Sequence, residues 1–365
     1  ALREAHHYIS VQASNGYELS PAAEWLMDNF HLVEAQLNEI KEGLPRSFFA
    51  ALPVLQDEPL GGLPRIYGVA WAFVAHTDGA FDETLLIQFL SAYEEVRELN
   101  LNEMWALPTT LRVVLIENLR RLAERIATNK AAREAANLCF DRVSTYIPEK
   151  LDELLENLNA RGVGRVFLVQ LAQRLQDHRI ARQYDELTDF QSWLLQALPD
   201  LAAAQTQQVA DQAADNLSVS NAITSLRAIG DSDWPDIIAR TSALMRLMLT
   251  LPVFEAEDNT TRDQSLHAIE RLARRSGQGE VAVAGRLLGL IREAEGDPVR
   301  SLAAYWLTGA GRPTLARALG LNAGRALAWL FITRRLALPL YLGALLVALG
   351  LLSWLLLRHA LPAPG

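Results

Sequence analysis

Cysteine is almost absent from this sequence of 365 residues. The single cysteine, Cys139, excludes an internal disulfide and any metal site built from several cysteines, which is usual for a reducing compartment. A free cysteine usually behaves as a small apolar residue, so we expect Cys139 to be buried. A secretory signal is also absent, because no apolar stretch follows a basic start near residue 1. We therefore expect the N-terminal body to lie on the cytoplasmic side.

Positive charge and strand patterns are scarce as well. Lys and Arg total 34 against 43 Asp and Glu, which gives a net charge of −9. Nucleic acids require a basic surface, so we expect no nucleic-acid partner. No segment alternates as strands do, whereas apolar residues recur at helical spacing nearly throughout. The sequence therefore predicts an all-α protein.

Start and stop signals mark the first helices. Ser20 and Pro21 predict a helix start, and Gly43 predicts its end. Asp82 is predicted to cap the next helix, and a further helix is predicted after Pro108. The apolar stripes of these three helices are Leu26, Phe30, Val33, Leu37 and Ile40; Leu85, Leu86, Phe89, Tyr93 and Val96; and Leu111, Leu115, Leu119, Leu122 and Ile126.

The C-terminal part contains one long run without charge, Leu336 to Leu357. At about 1.5 Å per residue, a helix of that length matches the roughly 30 Å hydrocarbon core of a bilayer. Arg334 and Arg335 fit the positive charge of a cytoplasmic flank. The predicted fold class is therefore all-α, a multi-helix cytoplasmic body followed by a transmembrane helix, with the lipid bilayer as a partner. The predicted division is an N-terminal helical lobe at 1–148, a second helical lobe at 149–320, a juxtamembrane amphipathic helix at 321–335, the transmembrane helix at 336–357 and the start of a following loop at 358–365.

Two short motifs suggest chemistry, and for each we favour a structural alternative. Asp231-Ser232-Asp233 has the D-x-D form by which nucleotide-sugar transferases hold a divalent metal, but it immediately precedes a helix, where Ser and Asp act as caps. His76 and Asp78 are close enough in sequence for general acid/base work, but Gly79 marks the same place as an ordinary helix end.

The remaining motifs are weaker still. His6 and His7 could ligate a metal, yet no further ligand is spaced to complete a site. Gly277-Gln278-Gly279 with Ala282 resembles a dinucleotide fingerprint but follows no predicted strand, and Gly162-Val163-Gly164 does not have the required spacing. From the residues alone we expect no catalytic, cofactor-binding or metal-binding residue in this chain.

Several stretches, in order and covering most of residues 20 to 275, carry a family resemblance. They are Ala22 to Glu34 (AAEWLMDNFHLVE); Leu63 to Ala70 (LPRIYGVA), running to Ala75-His76-Thr77-Asp78; Glu103 to Pro108 (EMWALP) with Leu111-Arg112 and Ile116 to Ala123 (IENLRRLA); Val219 to Arg227 (VSNAITSLR); and Thr261-Arg262-Asp263. Together they resemble the N-terminal region of bacterial cyclic β-1,2-glucan synthases.

The resemblance implies that the complete protein is a glucosyltransferase of the bacterial inner membrane, which polymerises glucose from UDP-glucose into cyclic β-1,2-glucan. It implies UDP-glucose and a divalent metal, Mg or Mn, for the complete enzyme. It also implies the downstream transferase and other domains of the same polypeptide as partners. The metal-binding D-x-D and the Q-x-x-R-W of such transferases are not matched in context here, so no catalytic residue is carried over.

We therefore expect a non-catalytic helical region that scaffolds the downstream catalytic domains; whether this chain is itself an enzyme stays open. The alternative is a membrane-anchored helical adaptor that binds other proteins and has no catalytic role. The arginine-bearing helix at 111–126 is a candidate docking face. The glucan chain is a further candidate partner, with Tyr8, Tyr17 or Tyr146 as conceivable attachment points, against the alternative that these tyrosines are half-buried in helix packing.

Overall fold

The computed structural model describes residues 1–15, 19–43, 45–142, 148–181, 188–294, 296–321 and residue 349. Within these ranges every regular element is a helix, and one isolated antiparallel bridge joins Val54 to Pro64. The all-α prediction is confirmed for this part of the chain. The chain divides into two compact units, residues 1–241 and 242–365. The lobe boundary predicted at residues 148–149 lies inside the first unit and stays a prediction.

The predicted fold class needs a correction at its membrane-spanning part. No helix within the described ranges is both long and apolar enough to cross a bilayer. The longest of these helices, between Leu101 and Asp141, is long enough to cross a bilayer. However, charged side chains lie along it, and its apolar residues pack against other helices. Apart from Leu321 and Leu349, the segments predicted at 321–335, 336–357 and 358–365 lie outside the described residues.

The described part of the first unit contains twelve helices, arranged around the seventh. They are α1 (Leu2–Ser14), α2 (Pro21–Asp28), α3 (Phe30–Gly43), α4 (Arg46–Phe49), α5 (Arg65–His76), α6 (Glu83–Val96), α7 (Leu101–Asp141), α8 (Pro148–Ala160), α9 (Gly164–Ala181), α10 (Thr188–Ala197), α11 (Leu201–Asp231) and α12 (Trp234–Thr241).

The second unit contains six helices in its described part. They are α13 (Ala243–Met248), α14 (Pro252–Ala256), α15 (Asn259–Ser276), α16 (Glu280–Glu293), α17 (Ala303–Leu307) and α18 (Arg312–Ala318). Helix α16 packs against α13, α15, α17 and α18, and its buried face supplies Val283, Leu287 and Ile291 to the core of this unit.

Helix α7 is the axis of the first unit. It packs against α1, α2, α3, α5, α9 and α11, and at about 1.5 Å per residue it is about 60 Å long. A capping box formed by Asn100 and Glu103 begins it, so Pro108 lies inside this helix. The prediction that a helix starts after Pro108 was therefore wrong, although the predicted stripe from Leu111 to Ile126 is buried.

Local signals predicted other helix starts correctly. The side chain of Ser20 accepts a hydrogen bond from the backbone N of Ala23, and that of Asp82 accepts one from Leu85. The stripe from Leu26 to Ile40 nevertheless spans two helices, because the chain breaks at Asn29. On α6 the prediction that the stripe faces inward was wrong at both ends, because Leu85 is 50% and Val96 is 89% exposed.

A buried ion pair fixes α5 against the start of α7. Nε and Nη2 of Arg65 donate to the two carboxylate oxygens of Glu103 at 2.9 and 2.5 Å. Nη2 also donates to the backbone oxygen of Glu98 at 3.0 Å. The hydrogen bonds to Glu103 raise the pKa of Arg65. Because a bidentate pair restricts both position and orientation, it sets the register of α5 along α7.

Candidate functional site

A cavity of about 340 Å³ lies in the first unit along the seam of α5, α7 and α11. That volume is within the roughly 300–1,000 Å³ typical of ligand pockets. Aromatic side chains of α5 and polar side chains of α7 meet there. We call this cavity the α7 groove, and its lining includes Tyr67, Trp71, Asp78, Glu117, Asn118, Arg121, Arg125 and Ser218.

Trp71 supplies the apolar surface of the α7 groove. Helix α5 buries Ile66, Ala70 and Phe73 against the core, whereas Trp71 is 45% exposed. Tyr67, one turn before Trp71, is half-buried and lines the same cavity. A large exposed indole beside a cavity offers a flat apolar face to a ligand, since aromatic side chains bury much area at little entropic cost.

Charged side chains of α7 form the polar side of the groove. Nε and Nη2 of Arg120 donate to Glu117 at 2.7 and 2.8 Å, and Nε of Arg121 donates to it at 2.9 Å. These hydrogen bonds, that from Arg120 foremost, lower the pKa of Glu117 to about 2. Arg120 also donates to Glu124 at 2.7 Å. Glu117 is therefore an ionised acceptor of fixed orientation at neutral pH.

The turn after α5 completes the groove with Asp78. Asp78 has a φ of 49° and Gly79 a φ of 75°, and the backbone N of Gly79 donates to Val74 as α5 ends. Nδ2 of Asn221 donates to the backbone oxygen of Asp78, and Oγ of Ser225 donates to that of Gly79 at 2.7 Å. The turn is thus held by α11, and the helix-end interpretation of this motif is confirmed.

A second cavity, of about 580 Å³, adjoins the α7 groove at Arg125 and extends toward α9. Arg125 forms an ion pair with Asp215, whose pKa is raised by burial and lowered to a smaller extent by Arg125. Nη2 of Arg165 donates to Asp211 at 2.7 Å on the rim of this cavity. Polar side chains therefore continue along α7 for more than one turn beyond Arg121.

The α7 groove has the composition of a binding site. A carboxyl group that acts as a general acid needs a raised pKa, whereas the pKa of Glu117 is lowered. In the described ranges no three His, Cys, Asp or Glu side chains are grouped so as to hold a metal ion. An aromatic face, a fixed carboxylate, an amide and guanidinium groups suit a ligand with one apolar face and several hydroxyl groups.

The structure gives structural roles to the motifs that suggested chemistry. Asp233 accepts a hydrogen bond from the backbone N of Asp236 at 3.2 Å and so caps the first turn of α12. The ring of His6 stacks on Phe30 with centroids 3.8 Å apart. Gly277 ends α15 with a φ of 69°, and Gly279 is the N-cap residue of α16.

The structure describes Cys139 and one of the three candidate tyrosines, Tyr8. Cys139 is buried, as expected, and burial raises the pKa of its thiol. The hydroxyl of Tyr8 donates to Glu134 at 2.9 Å, and burial with this hydrogen bond raises its pKa to about 12. Tyr8 is half-buried in helix packing, and Tyr17 and Tyr146 lie outside the described residues. Glucan attachment to any of them stays a prediction.

Sequence reasoning did not find the groove. Tyr67, Glu117 and Asn118 belong to the stretches that carry the resemblance, but the sequence alone indicates no role for them. The available signal was Trp71, a large aromatic residue on the face of α5 opposite its buried stripe. That face can be recognised from helical spacing, whereas its position beside α7 depends on tertiary packing.

Comparison with known proteins gives one clear relationship. The chain is 30% identical over 299 residues to the cyclic beta-(1,2)-glucan synthase NdvB of Rhizobium meliloti (strain 1021). The resemblance to cyclic β-1,2-glucan synthases is confirmed. The match covers 80% of this chain and 10% of that relative, so the chain spans about a tenth of the length of NdvB. No family model matches the chain.

Proposed function

We propose that this chain is a non-catalytic helical region of a cyclic β-1,2-glucan synthase, and that its α7 groove holds part of the glucan chain. The observation that carries the proposal is the pairing of exposed Trp71 with ionised Glu117 across one cavity, in a relative of a glucan synthase. Its role is then to hold glucan close to the catalytic domains.

The chemistry of glucose matches the two sides of the groove. A pyranose ring presents carbon-bound hydrogens on its faces, which pack on an aromatic ring such as that of Trp71. Its edges carry neighbouring hydroxyl groups, which can donate to Glu117 and accept from Asn118 and Arg121. Because glucan is uncharged, the Glu117–Arg120–Arg121 network needs no counter-charge from the ligand and can stay paired.

The proposal also concerns the complete enzyme, of which this chain would be one part. Its transferase and other domains are the partners, UDP-glucose is the glucosyl donor, and a divalent metal belongs to the transferase site. The inner membrane is its location, with the helical region on the cytoplasmic side. Cell fractionation of the full-length protein, with protease protection of this region, tests that location.

Titration with β-1,2-linked gluco-oligosaccharides tests the groove. Calorimetry should detect binding to the wild-type chain, and Trp71→Ala should weaken it by about tenfold, which corresponds to about 1.4 kcal/mol of lost stacking and burial. Trp25→Ala is the matched control, because Trp25 is 40% exposed and does not line the groove. Equal losses in both variants, or no binding at all, would refute the groove assignment.

A separate assay tests the non-catalytic role. Incubation of the purified chain with UDP-glucose and Mg or Mn should give no glucan, and appreciable polymer would overturn the proposal. In the full enzyme, deletion of residues 20–130 should lower polymer yield. The transferase should still hydrolyse UDP-glucose or transfer glucose from it. Unchanged yield would show that the region is dispensable for polymerisation.

A further inference from the structure

Four arginines of the second unit surround a single cavity of about 520 Å³. We call them the arginine cluster: Arg271, Arg274 and Arg275 on α15, and Arg312 on α18. The three on α15 are exposed and Arg312 is half-buried. This concentration of positive charge contrasts with the net charge of −9 of the whole chain.

Ordinary helix electrostatics explains only part of the cluster. Arg274 and Arg275 lie in the last turn of α15, where the helix dipole favours cations, and Arg274 pairs with Glu270 at 2.5 Å. Arg312 begins α18, the end at which the dipole disfavours a cation. In the described part of the chain, Arg271, Arg275 and Arg312 have no carboxylate partner. Arg274 is partly neutralised by Glu270, but the like charges of Arg271, Arg275 and Arg312 repel one another around the cavity, so an anion there would be stabilising.

Helix α17 brings Arg312 close to α15, because α17 packs against both α15 and α18. Gly311 lies against the rings of Tyr305 and Trp306, and a Cβ at this position would come within 2.6 to 2.8 Å of them. The start of α18 can therefore approach α17 closely because residue 311 is glycine. The side chain of Gln278, just after α15, donates to the backbone oxygen of Leu319 at 3.2 Å. The first contact holds the start of α18 on α17, and the second joins the C-terminal end of α18 to the chain just after α15.

We propose that the arginine cluster binds the phosphoryl group of an anionic ligand. Guanidinium groups bind phosphate through paired N–H donors, and several around one cavity can reach different oxygens of the same group. The cavity volume is in the range of small-ligand sites. The phosphoryl group is either that of a free phosphate compound or that of an anionic lipid headgroup. This site lies in a different unit from the α7 groove and does not depend on the glucan proposal.

Two binding assays on the 365-residue chain test the site and distinguish its ligand. Calorimetry with inorganic pyrophosphate reports free phosphate, and flotation with vesicles of phosphatidylglycerol and phosphatidylcholine, against phosphatidylcholine alone, reports a lipid headgroup. The variant is Arg271→Gln/Arg312→Gln. The control is Arg246→Gln/Arg286→Gln, which removes the same charge from two exposed arginines of this unit outside the cavity.

We expect the cluster variant to lose about tenfold or more in affinity and the control to bind as the wild type does. Pyrophosphate binding without flotation identifies a free phosphate compound as the ligand. Flotation with the vesicles that contain phosphatidylglycerol, without pyrophosphate binding, identifies a lipid headgroup. Absence of both, or equal losses in the two variants, overturns the proposal. Circular dichroism checks folding, and if the double variant is unfolded, Arg275→Gln alone, which changes an exposed side chain, must show the same selective loss.

Discussion

The buried ion pair between Arg65 and Glu103 makes the first unit sensitive to a change of either residue. Glu103 is 0% and Arg65 8% exposed. The carboxylate of Glu103 accepts two hydrogen bonds from Arg65 and one from the backbone N of Asn100 at 2.9 Å. Glu103→Ala removes all three and leaves a buried guanidinium that is still bound to the backbone oxygen of Glu98.

The expected loss follows from burial. Removal of one member of a buried pair costs about 3–5 kcal/mol, because the other charge stays buried without compensation. Replacement of both by apolar residues of similar volume avoids that charge and is often neutral. Arg65→Met/Glu103→Leu still loses the hydrogen bonds to Glu98 and Asn100, so it should lie within about 2 kcal/mol of the wild type, which gives a coupling energy of several kcal/mol between the two positions.

Urea unfolding measures these differences in the free energy of unfolding, with circular dichroism and tryptophan fluorescence as independent probes of two-state behaviour. Arg240→Gln is the control. It breaks an exposed pair with Asp236 on α12 of the same unit and should cost less than about 0.5 kcal/mol. A loss below about 1 kcal/mol for Glu103→Ala would refute this account. So would a double variant whose loss equals the sum of the losses of Arg65→Met and Glu103→Leu measured singly.

Four further predictions concern single residues. Gly79→Ala should destabilise the first unit by about 1 kcal/mol or more, because residue 79 has a φ of 75°. Gly285→Ala should stabilise the second unit by up to about 1 kcal/mol, because this position in α16 has open space for a Cβ. Thermal unfolding measures both changes. The thiol of Cys139 should resist DTNB in the folded protein and react in urea; equal rates would contradict its burial. Since the pKa of Tyr8 is raised from 10.0 to about 12, its pairing with Glu134 should stabilise the protein below pH 10 and be lost as the pH rises through 12. Ultraviolet titration should show one late tyrosine that Tyr8→Phe removes.

The sequence predicted those features that depend on neighbouring residues. The caps at Ser20 and Asp82, the helix end at Gly79 and the cap formed by Asp233 each rest on contacts within about one turn. Such contacts need no knowledge of the fold, so the residue type and its position suffice. The same holds for the buried stripe of α7, because helical spacing alone defines which side chains share a face.

Features that depend on distant residues could not be predicted in this way. Pro108 reads locally as a helix start, yet α7 runs through it because capping by Glu103 and burial on several sides outweigh the lost backbone hydrogen bond. The α7 groove joins Trp71 to Glu117 and Ser218 from three helices. Its existence depends on where α5 and α11 pack along α7, and no local pattern contains that information.

The position of the groove has a physical cause in α7 itself. Glu117, Arg121 and Arg125 are spaced by four residues and share one face of the helix, next to the buried Leu119 and Leu122. Helices α5 and α11 cannot close over that face, because burial of three charged groups would cost more than the packing could return. The seam therefore stays open to solvent beside the exposed Trp71 of α5. Under the proposal made above, the hydroxyl groups of a glucan would replace the water hydrogen bonds that these charges lose on binding, whereas an apolar helix of a protein partner would leave them without partners.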